Sequence, residues 1–331
     1  VQNCGMNKKT KIEIIVFTAV ALLAFDLALI FTGTRGQTIN AFWAMAMGFL
    51  TAFYGVLALI TAKYWSWLHS KIGQAVFFIG AGNFIWGAGQ LVWAYYFYRY
   101  PNQEYQPQRI LDVLFFSAVP LWFYGVLKLT KASGAKYGLK KLKGKLLVLF
   151  LVVFMGALSY YLLVFLAREG SAYFNQPLWE QFFDLGYSVG DAIIFTVALA
   201  IFGLSWRLLG GRFKAPVIVM LAGFGVMYVA DVLFSYLGGK ELYYNGDISD
   251  MLYLAAVVII SAGACLLDPT KLKPIYAPGP APEEAKLLDS EQTSADQGNE
   301  AADSQAESDP EATVNGAVSQ STENNNLSRE E

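Results

Sequence analysis

The chain has 331 residues, of which 55% are hydrophobic and only 15% are charged, and its formal net charge is −2 at pH 7. Soluble proteins of this size carry about 25% charged residues, so this composition excludes an ordinary soluble globular protein. The two cysteines, Cys4 and Cys265, lie at opposite ends of the chain and give no pattern of a disulfide framework or a metal site.

Long apolar runs account for the shortage of charge, and a run of about 20 apolar residues can cross a bilayer as a helix. Eight such runs cover residues 12–33, 39–62, 74–99, 107–130, 144–167, 182–205, 213–238 and 248–267. The sequence therefore predicts an all-α polytopic membrane protein with eight transmembrane helices after a short cytoplasmic segment, residues 1–11. Because no cleavage-site pattern follows the first run, we expect a retained helix and not a signal peptide.

Basic residues between the runs predict the orientation, because cytoplasmic loops are enriched in lysine and arginine. With the N terminus in the cytoplasm, the inner segments hold 17 basic residues and the outer segments hold five. Seven of the 17 lie between Lys128 and Lys145, in a segment that we expect to meet anionic lipid and not nucleic acid. We expect a multi-pass protein of the cell membrane with both termini cytoplasmic.

The same basic segment separates two sets of four runs, residues 12–130 and 144–267. The motif DVLFF, which begins at Asp112, resembles DMLYL, which begins at Asp250, and Gln90 then aligns with Asp231. Repeats with an even number of helices keep the same orientation in the membrane. The pattern predicts two parallel four-helix repeats.

The composition changes after the eighth run. From Pro269 to Glu331 there are four basic and thirteen acidic residues, a net charge of −9, whereas the preceding part has a net charge of +7. This part is rich in proline, serine, asparagine and glutamate and cannot bury enough apolar surface to offset its ordering entropy. We expect residues 268–331 to form a disordered acidic cytoplasmic tail, either a solvating extension or a binding segment for a partner.

Carboxylates inside the runs are the candidate functional residues, because a charge in hydrocarbon is costly and usually lies in a polar cavity. In the predicted orientation they collect toward the extracytoplasmic side. Some of them lie where a run enters the membrane from the extracytoplasmic side. At such a helix N-terminus a negative charge can cap the helix and meets the positive end of the helix dipole, which fits Asp112, Asp184, Asp247 and Asp250. Asp26 lies in the outer half of the first run. Asp191 and Asp231 lie too deep for a capping role.

We predict that Asp191 and Asp231 share a polar cavity that faces the extracytoplasmic side and binds a small ligand, a cation or a proton. The residues expected to surround them are Asp112, Asp250 and Gln90 at the mouth and Tyr95, Tyr187 and Tyr236 in the walls. No cofactor is expected, because the sequence has no nucleotide-binding motif, zinc ligand set or lysine of the retinal-binding type within a run.

Five stretches carry a resemblance to a known class of protein: FIWGAGQLVWAYY in the third run, LDVLFFSAVPLWFYGVL in the fourth, YSVGDAII in the sixth, VADVLFSYL in the seventh and GDISDMLYLAAVVI in the eighth. Together they resemble the multi-helix membrane sensor modules that precede diguanylate cyclase and histidine kinase domains in bacteria and archaea. The likeness covers residues 74–267. In those modules an acid commonly takes the place of Gln90, and a Pro-Ser-x-Ala-Asp stretch opens the fourth helix, where this chain has QPQRILD.

The resemblance implies a membrane sensor. The sequence shows no GGDEF stretch, kinase histidine box or ATP-binding glycine pattern, so the resemblance implies a stand-alone sensor-like module, for which a cytoplasmic signalling partner is one option. A membrane transporter or an intramembrane hydrolase of the lysoplasmalogenase type is the alternative, since both can use buried aspartates. The sequence has no nucleophile and base pair, and its single histidine, His69, lies in a loop, so enzymatic activity is not predicted.

Overall fold

The computed structural model describes residues 7–35, 37–100, 108–133, 135–170, 178–205 and 214–267. The chain divides into two units, Val1–Leu272 and Lys273–Glu331, and the described residues belong to the first. The predicted disordered tail, residues 268–331, lies outside the described residues and stays a prediction.

Helices form all of the regular secondary structure in these ranges. They are α1 (Lys8–Thr32), α2 (Gln37–Tyr64), α3 (Lys71–Arg99), α4 (Gln108–Ala132), α5 (Ala135–Leu139), α6 (Leu142–Tyr160), α7 (Leu178–Ser205), α8 (Lys214–Gly239) and α9 (Ile248–Leu266). A short 3-10 turn, Trp67–His69, precedes α3, and a π-helical segment, Tyr161–Leu166, extends α6. With that extension, eight helices among the described residues are long and apolar enough to cross a membrane, all but the short α5.

The prediction of an all-α membrane protein with eight spans is therefore confirmed for this part of the chain. Each span begins and ends within four residues of the predicted run. Local capping explains several of the helix ends. The Ser70 hydroxyl accepts a hydrogen bond from the Gly73 amide at 2.9 Å at the start of α3, and Gly33, with φ +63°, ends α1 in the left-handed conformation.

Close packing of α2 on α3 forms the centre of the bundle, and glycines permit it. A Cβ atom on Gly55 would lie 2.6 Å from the Phe84 amide nitrogen, and one on Gly87 would lie 2.4 Å from that of Ala52. Small residues at such crossings let helix backbones approach in a membrane, where apolar side chains gain little by leaving lipid. Helix α9 contacts α1, α2, α3 and α8, so it packs against four neighbouring helices.

Helix α6 lies at the edge of the bundle and packs mainly on α7. Its apolar side chains point away from protein, as the exposed fractions of Leu142 (72%), Phe150 (61%) and Val153 (63%) indicate. A helix that is apolar on its exposed face is typical of one that contacts lipid.

Candidate functional site

Buried carboxylates gather at one end of the bundle, where α1 and α8 finish and α2, α7 and α9 begin. We call this the acidic end. Asp26 lies six residues before the end of α1, and Asp231 lies eight residues before the end of α8. Asp191 lies six residues after the start of Leu185–Ser205, the part of α7 that is long and apolar enough to cross a membrane. At a rise of about 1.5 Å per residue, these carboxylates lie about 9 to 12 Å from the nearer ends of their membrane spans. All three side chains are buried.

Asp191 and Asp231 meet across the contact between α7 and α8. Their carboxyl groups lie close enough to interact directly. Tyr253 on α9 donates its hydroxyl to Asp231 Oδ1 at 2.6 Å. Asp191 Oδ1 and Asp231 Oδ2 have no hydrogen-bond partner among the described residues. We call Asp191 and Asp231 the aspartate pair.

A contact between two carboxyl groups has a simple chemical requirement. An ionised carboxylate only accepts hydrogen bonds, so two of them can bond to each other only when one carries a proton. Two unprotonated carboxylates removed from water would instead need a cation between them. Within the described ranges, ion pairs join Lys9 to Glu13 and Lys240 to Glu169, and none reaches the aspartate pair. The pair is therefore suited to hold one positive charge.

One helical turn from the aspartate pair, Ser188 on α7 and Ser235 on α8 approach each other, and their hydroxyl oxygens are 3.3 Å apart. This contact continues the polar face along the two helices toward their ends. We call this interface between α7 and α8 the seam. It contains several groups that can exchange hydrogen bonds, and its surroundings are apolar.

Asp250 lies in a separate environment, at the start of α9. Its Oδ2 accepts the Gly246 amide at 2.8 Å and the Tyr243 hydroxyl at 3.3 Å. Burial, and then the negative charges of Asp250 and Asp247, raise the pKa of the Tyr243 hydroxyl well above its usual value, so this group stays a donor. The Asp250 carboxyl group thus has local hydrogen-bond donors.

The loop before α9 is closed by two further contacts. The Asn245 side-chain oxygen accepts the indole N–H of Trp93 on α3 at 2.7 Å and lies 3.1 Å from the Tyr243 hydroxyl. Asp247 caps α9, as the sequence predicted, and its Oδ1 accepts the amides of Ser249 at 2.8 Å and Asp250 at 3.3 Å.

The other predicted site residues fall into different places. Asp112 on α4 accepts the Tyr187 hydroxyl of α7 at 3.0 Å, through both its carboxylate and its backbone carbonyl. Gln90 is buried on α3 where that helix packs on Gly48 of α2. Tyr95 is 53% exposed and packs against the neighbouring Tyr96 ring.

Tyr236 is partly exposed near the end of α8, and the side chain of Asp184 lies outside the described residues. The structure therefore brings Asp191 and Asp231 together, pairs Asp112 with Tyr187, and places Asp250 against the loop before α9. Among the described residues, no hydrogen bond joins the aspartate pair to Gln90, Tyr95 or Tyr236.

Sequence reasoning missed the role of Tyr253 at the aspartate pair. Tyr253 lies three residues after Asp250 on α9, but its hydroxyl crosses to Asp231 on α8. A contact between two helices leaves no spacing signal in one sequence. Among the described residues, no group of three or more histidine, cysteine, aspartate or glutamate side chains has the geometry of a metal site.

Comparison with known proteins finds no relative, since no family model matches the chain and no curated protein or solved structure is significantly similar to it.

Proposed function

We propose that this protein is a membrane sensor in which the aspartate pair binds a single proton. The observation that supports the proposal best is the contact between the Asp191 and Asp231 carboxyl groups in the interior of the bundle. Two negative charges about 4 Å apart repel by about 4 kcal/mol even at an effective dielectric constant of 20, so one positive charge strongly favours this arrangement. A shared proton meets the requirement with no further ligands, whereas a metal cation would need several more oxygens.

Proton binding at this place can be converted into a change of helix packing. The pair joins α7 to α8, and Tyr253 joins Asp231 to α9. Loss of the proton would replace an attraction between α7 and α8 by a repulsion and would bias the bundle toward a state with these helices apart. A ligand acts on a conformational equilibrium only through such a difference between two states.

The orientation and the duplication belong to the same proposal. With both termini cytoplasmic, the acidic end faces the extracytoplasmic side, and α9 leads from the pair toward the cytoplasmic tail and a signalling partner. Neighbour relations in the bundle support two parallel repeats. Helix α3 packs on α4 as α8 packs on α9, and α4 packs on α7 as α9 packs on α2.

A proton carrier is the second candidate. Asp250 lies three residues from Tyr253 on α9, so carboxylate and hydroxyl groups continue from the aspartate pair to the loop at the helix ends. Buried acids in such series are typical of proton pathways. An intramembrane hydrolase receives less support, because His69 lies in the turn between α2 and α3, at the opposite end of the bundle.

The proposal is tested by the pH profile of the apparent unfolding temperature of the detergent-purified protein. We expect Asp191→Asn to fold, because its amide can donate to Asp231, and to remove one component of the wild-type pH profile. Glu13→Gln, which changes an exposed acid at the other end of the bundle, should leave the profile unchanged. An unchanged profile for Asp191→Asn, or its severe destabilisation, would mean that the pair is a structural contact.

Proteoliposomes separate the two candidates. A sensor would give no proton flux above that of empty vesicles. Wild-type flux that Asp191→Asn abolishes, and that Glu13→Gln retains, would identify a carrier and overturn the sensor proposal.

A further inference from the structure

A second group of buried oxygens lies at the acidic end, between α1, α2 and the loop before α9. Its members are Asp26 on α1, Asn40 on α2 and Asp247 at the start of α9, and they are 0%, 2% and 3% exposed. We call these three residues the oxygen cluster. None of them belongs to the aspartate pair.

Contacts through Gly246 hold the oxygen cluster together. A Cβ atom on Gly246 would lie 3.5 Å from Asp26 Oδ1 and 3.5 Å from Asn40 Nδ2. The Asn40 amide donates to the Asn245 carbonyl at 2.5 Å, and Asp247 follows Gly246 directly in the chain. Gly246 has φ +83°, a conformation that glycine adopts easily, so the loop can approach both helices closely.

Four acceptor atoms of the oxygen cluster have no hydrogen-bond partner among the described residues: Asp26 Oδ1, Asp26 Oδ2, Asn40 Oδ1 and Asp247 Oδ2. About nine-tenths or more of buried polar groups in proteins are hydrogen-bonded, so four unpartnered oxygens on three adjacent side chains are unusual. Three of the four belong to carboxylates, whose burial without a partner is the most costly.

Two neighbouring amide donors are already engaged elsewhere. The Asn40 amide group donates to the carbonyls of Asn245 at 2.5 Å and Thr34 at 3.4 Å, which fixes its oxygen as the acceptor that remains. The Gly246 amide donates to Asp250. Arg35 stacks on the Tyr244 ring at 4.6 Å, and no ion pair in the described ranges joins it to Asp26 or Asp247.

We propose that the oxygen cluster is a calcium site. Carboxylate and amide oxygens are the ligands that hard divalent cations prefer, and the two carboxylates match the charge of one such ion. Ca²⁺ accepts irregular sets of six to eight oxygens completed by carbonyls and water, whereas Mg²⁺ needs near-ideal octahedral geometry. Three side chains from two helices and a loop form an irregular set of this kind.

Calcium at this place would tie the ends of α1 and α2 to the start of α9. The aspartate pair acts instead between α7, α8 and α9, so the two sites meet only through α9. The calcium site does not depend on the proposed proton site, and each can fail while the other holds.

The test is calcium binding by the full-length protein in detergent, after removal of metal with a chelator, followed by equilibrium dialysis and thermal unfolding. We expect one Ca²⁺ per chain and a rise in unfolding temperature with CaCl₂. Asp26→Asn and Asp247→Asn should each weaken binding by about tenfold or more, because each removes one ligand charge. Asn caps helices as well as Asp, so Asp247→Asn should fold and decides the test if Asp26→Asn does not.

Asp191→Asn and Glu13→Gln are the matched acid-to-amide controls and should bind Ca²⁺ as the wild type does. Absence of calcium binding by the wild type, unchanged affinity in Asp247→Asn, or equal stabilisation by Mg²⁺ or Na⁺ would overturn the calcium site. Weakened binding in Asp191→Asn would overturn the separation of the two sites.

Discussion

The loop before α9 and the seam between α7 and α8 both contain buried carboxylates, but they compensate them differently. At the loop, Asp250 in the first turn of α9 accepts the backbone amide of one loop residue and the hydroxyl of a loop tyrosine. In the seam, a single hydroxyl reaches Asp231, and Asp191 Oδ1 has no described partner. Backbone amides are free only in the first turn of a helix, so a carboxylate inside a span must find a side-chain donor or a positive ligand.

Depth alone does not leave a polar group without partners. Asn83, buried in the middle of α3, accepts the Trp122 indole N–H at 2.8 Å and donates to the Ser261 hydroxyl at 2.8 Å. This link between α3, α4 and α9 satisfies its groups with neighbouring side chains. The contrast with the seam supports a ligand-binding role for the aspartate pair and a structural role for Asp250.

The largest expected effect is the loss of the Asp250 carboxylate. Asp250→Ala leaves the Gly246 amide and the Tyr243 hydroxyl buried without their acceptor, and each buried donor left unsatisfied costs about 1 to 3 kcal/mol. We expect a fall of about 3 kcal/mol or more in the free energy of unfolding, measured by denaturant titration in detergent. If Asp250→Ala is tolerated as well as Asp191→Asn, the distinction between loop and seam is wrong.

A smaller effect is expected for Tyr253→Phe, which removes the hydroxyl that donates to Asp231 and keeps the ring. Its loss should cost about 1.5 to 3 kcal/mol and change the pH profile of unfolding. Tyr228→Phe is the matched control, because that hydroxyl on α8 pairs with Ser159 at 2.8 Å. An equal change of the pH profile in both variants would show that the hydroxyl at Asp231 has no special role.

Two substitutions of Asp247 separate the effect of its charge from that of its helix cap. Asp247→Ala should destabilise the protein by about 1 kcal/mol through loss of the N-cap, whereas Asp247→Asn in calcium-free buffer should change stability by only a few tenths of a kcal/mol. Thermal unfolding of the two variants measures both. Equal losses would indicate that the charge, and not the capping geometry, stabilises the start of α9.

The smallest effect is expected at the exposed contact between Glu169 and Lys240. The Lys240 hydrogen bond and charge lower the pKa of Glu169, so any stability it contributes is present above the ordinary carboxyl pKa and is lost as pH falls through the lowered value. Exposed ion pairs contribute little and are screened by salt. Glu169→Gln should therefore show no resolvable change in unfolding temperature at neutral pH and physiological salt, and a clear decrease would contradict this.

Local patterns in the sequence predicted the spans and the Asp247 cap, because hydrophobic run length and a helix-starting acid are properties of neighbouring residues. The partners of the buried acids could not be predicted in the same way. Tyr253 reaches Asp231 on another helix, and the loop that approaches Asp26 and Asn40 follows more than 200 residues later in the chain. Such contacts depend on how α1, α2, α8 and α9 pack.

The most direct test of the account is the infrared band of protonated carboxylic acids in the purified protein at neutral pH. If the aspartate pair holds one proton, the wild type should show this band, and Asp191→Asn and Asp231→Asn should each reduce it, because the remaining carboxylate accepts a hydrogen bond from the new amide. Glu13→Gln should leave it unchanged. A wild-type spectrum without the band, or one that keeps its full intensity in both variants, would contradict the account.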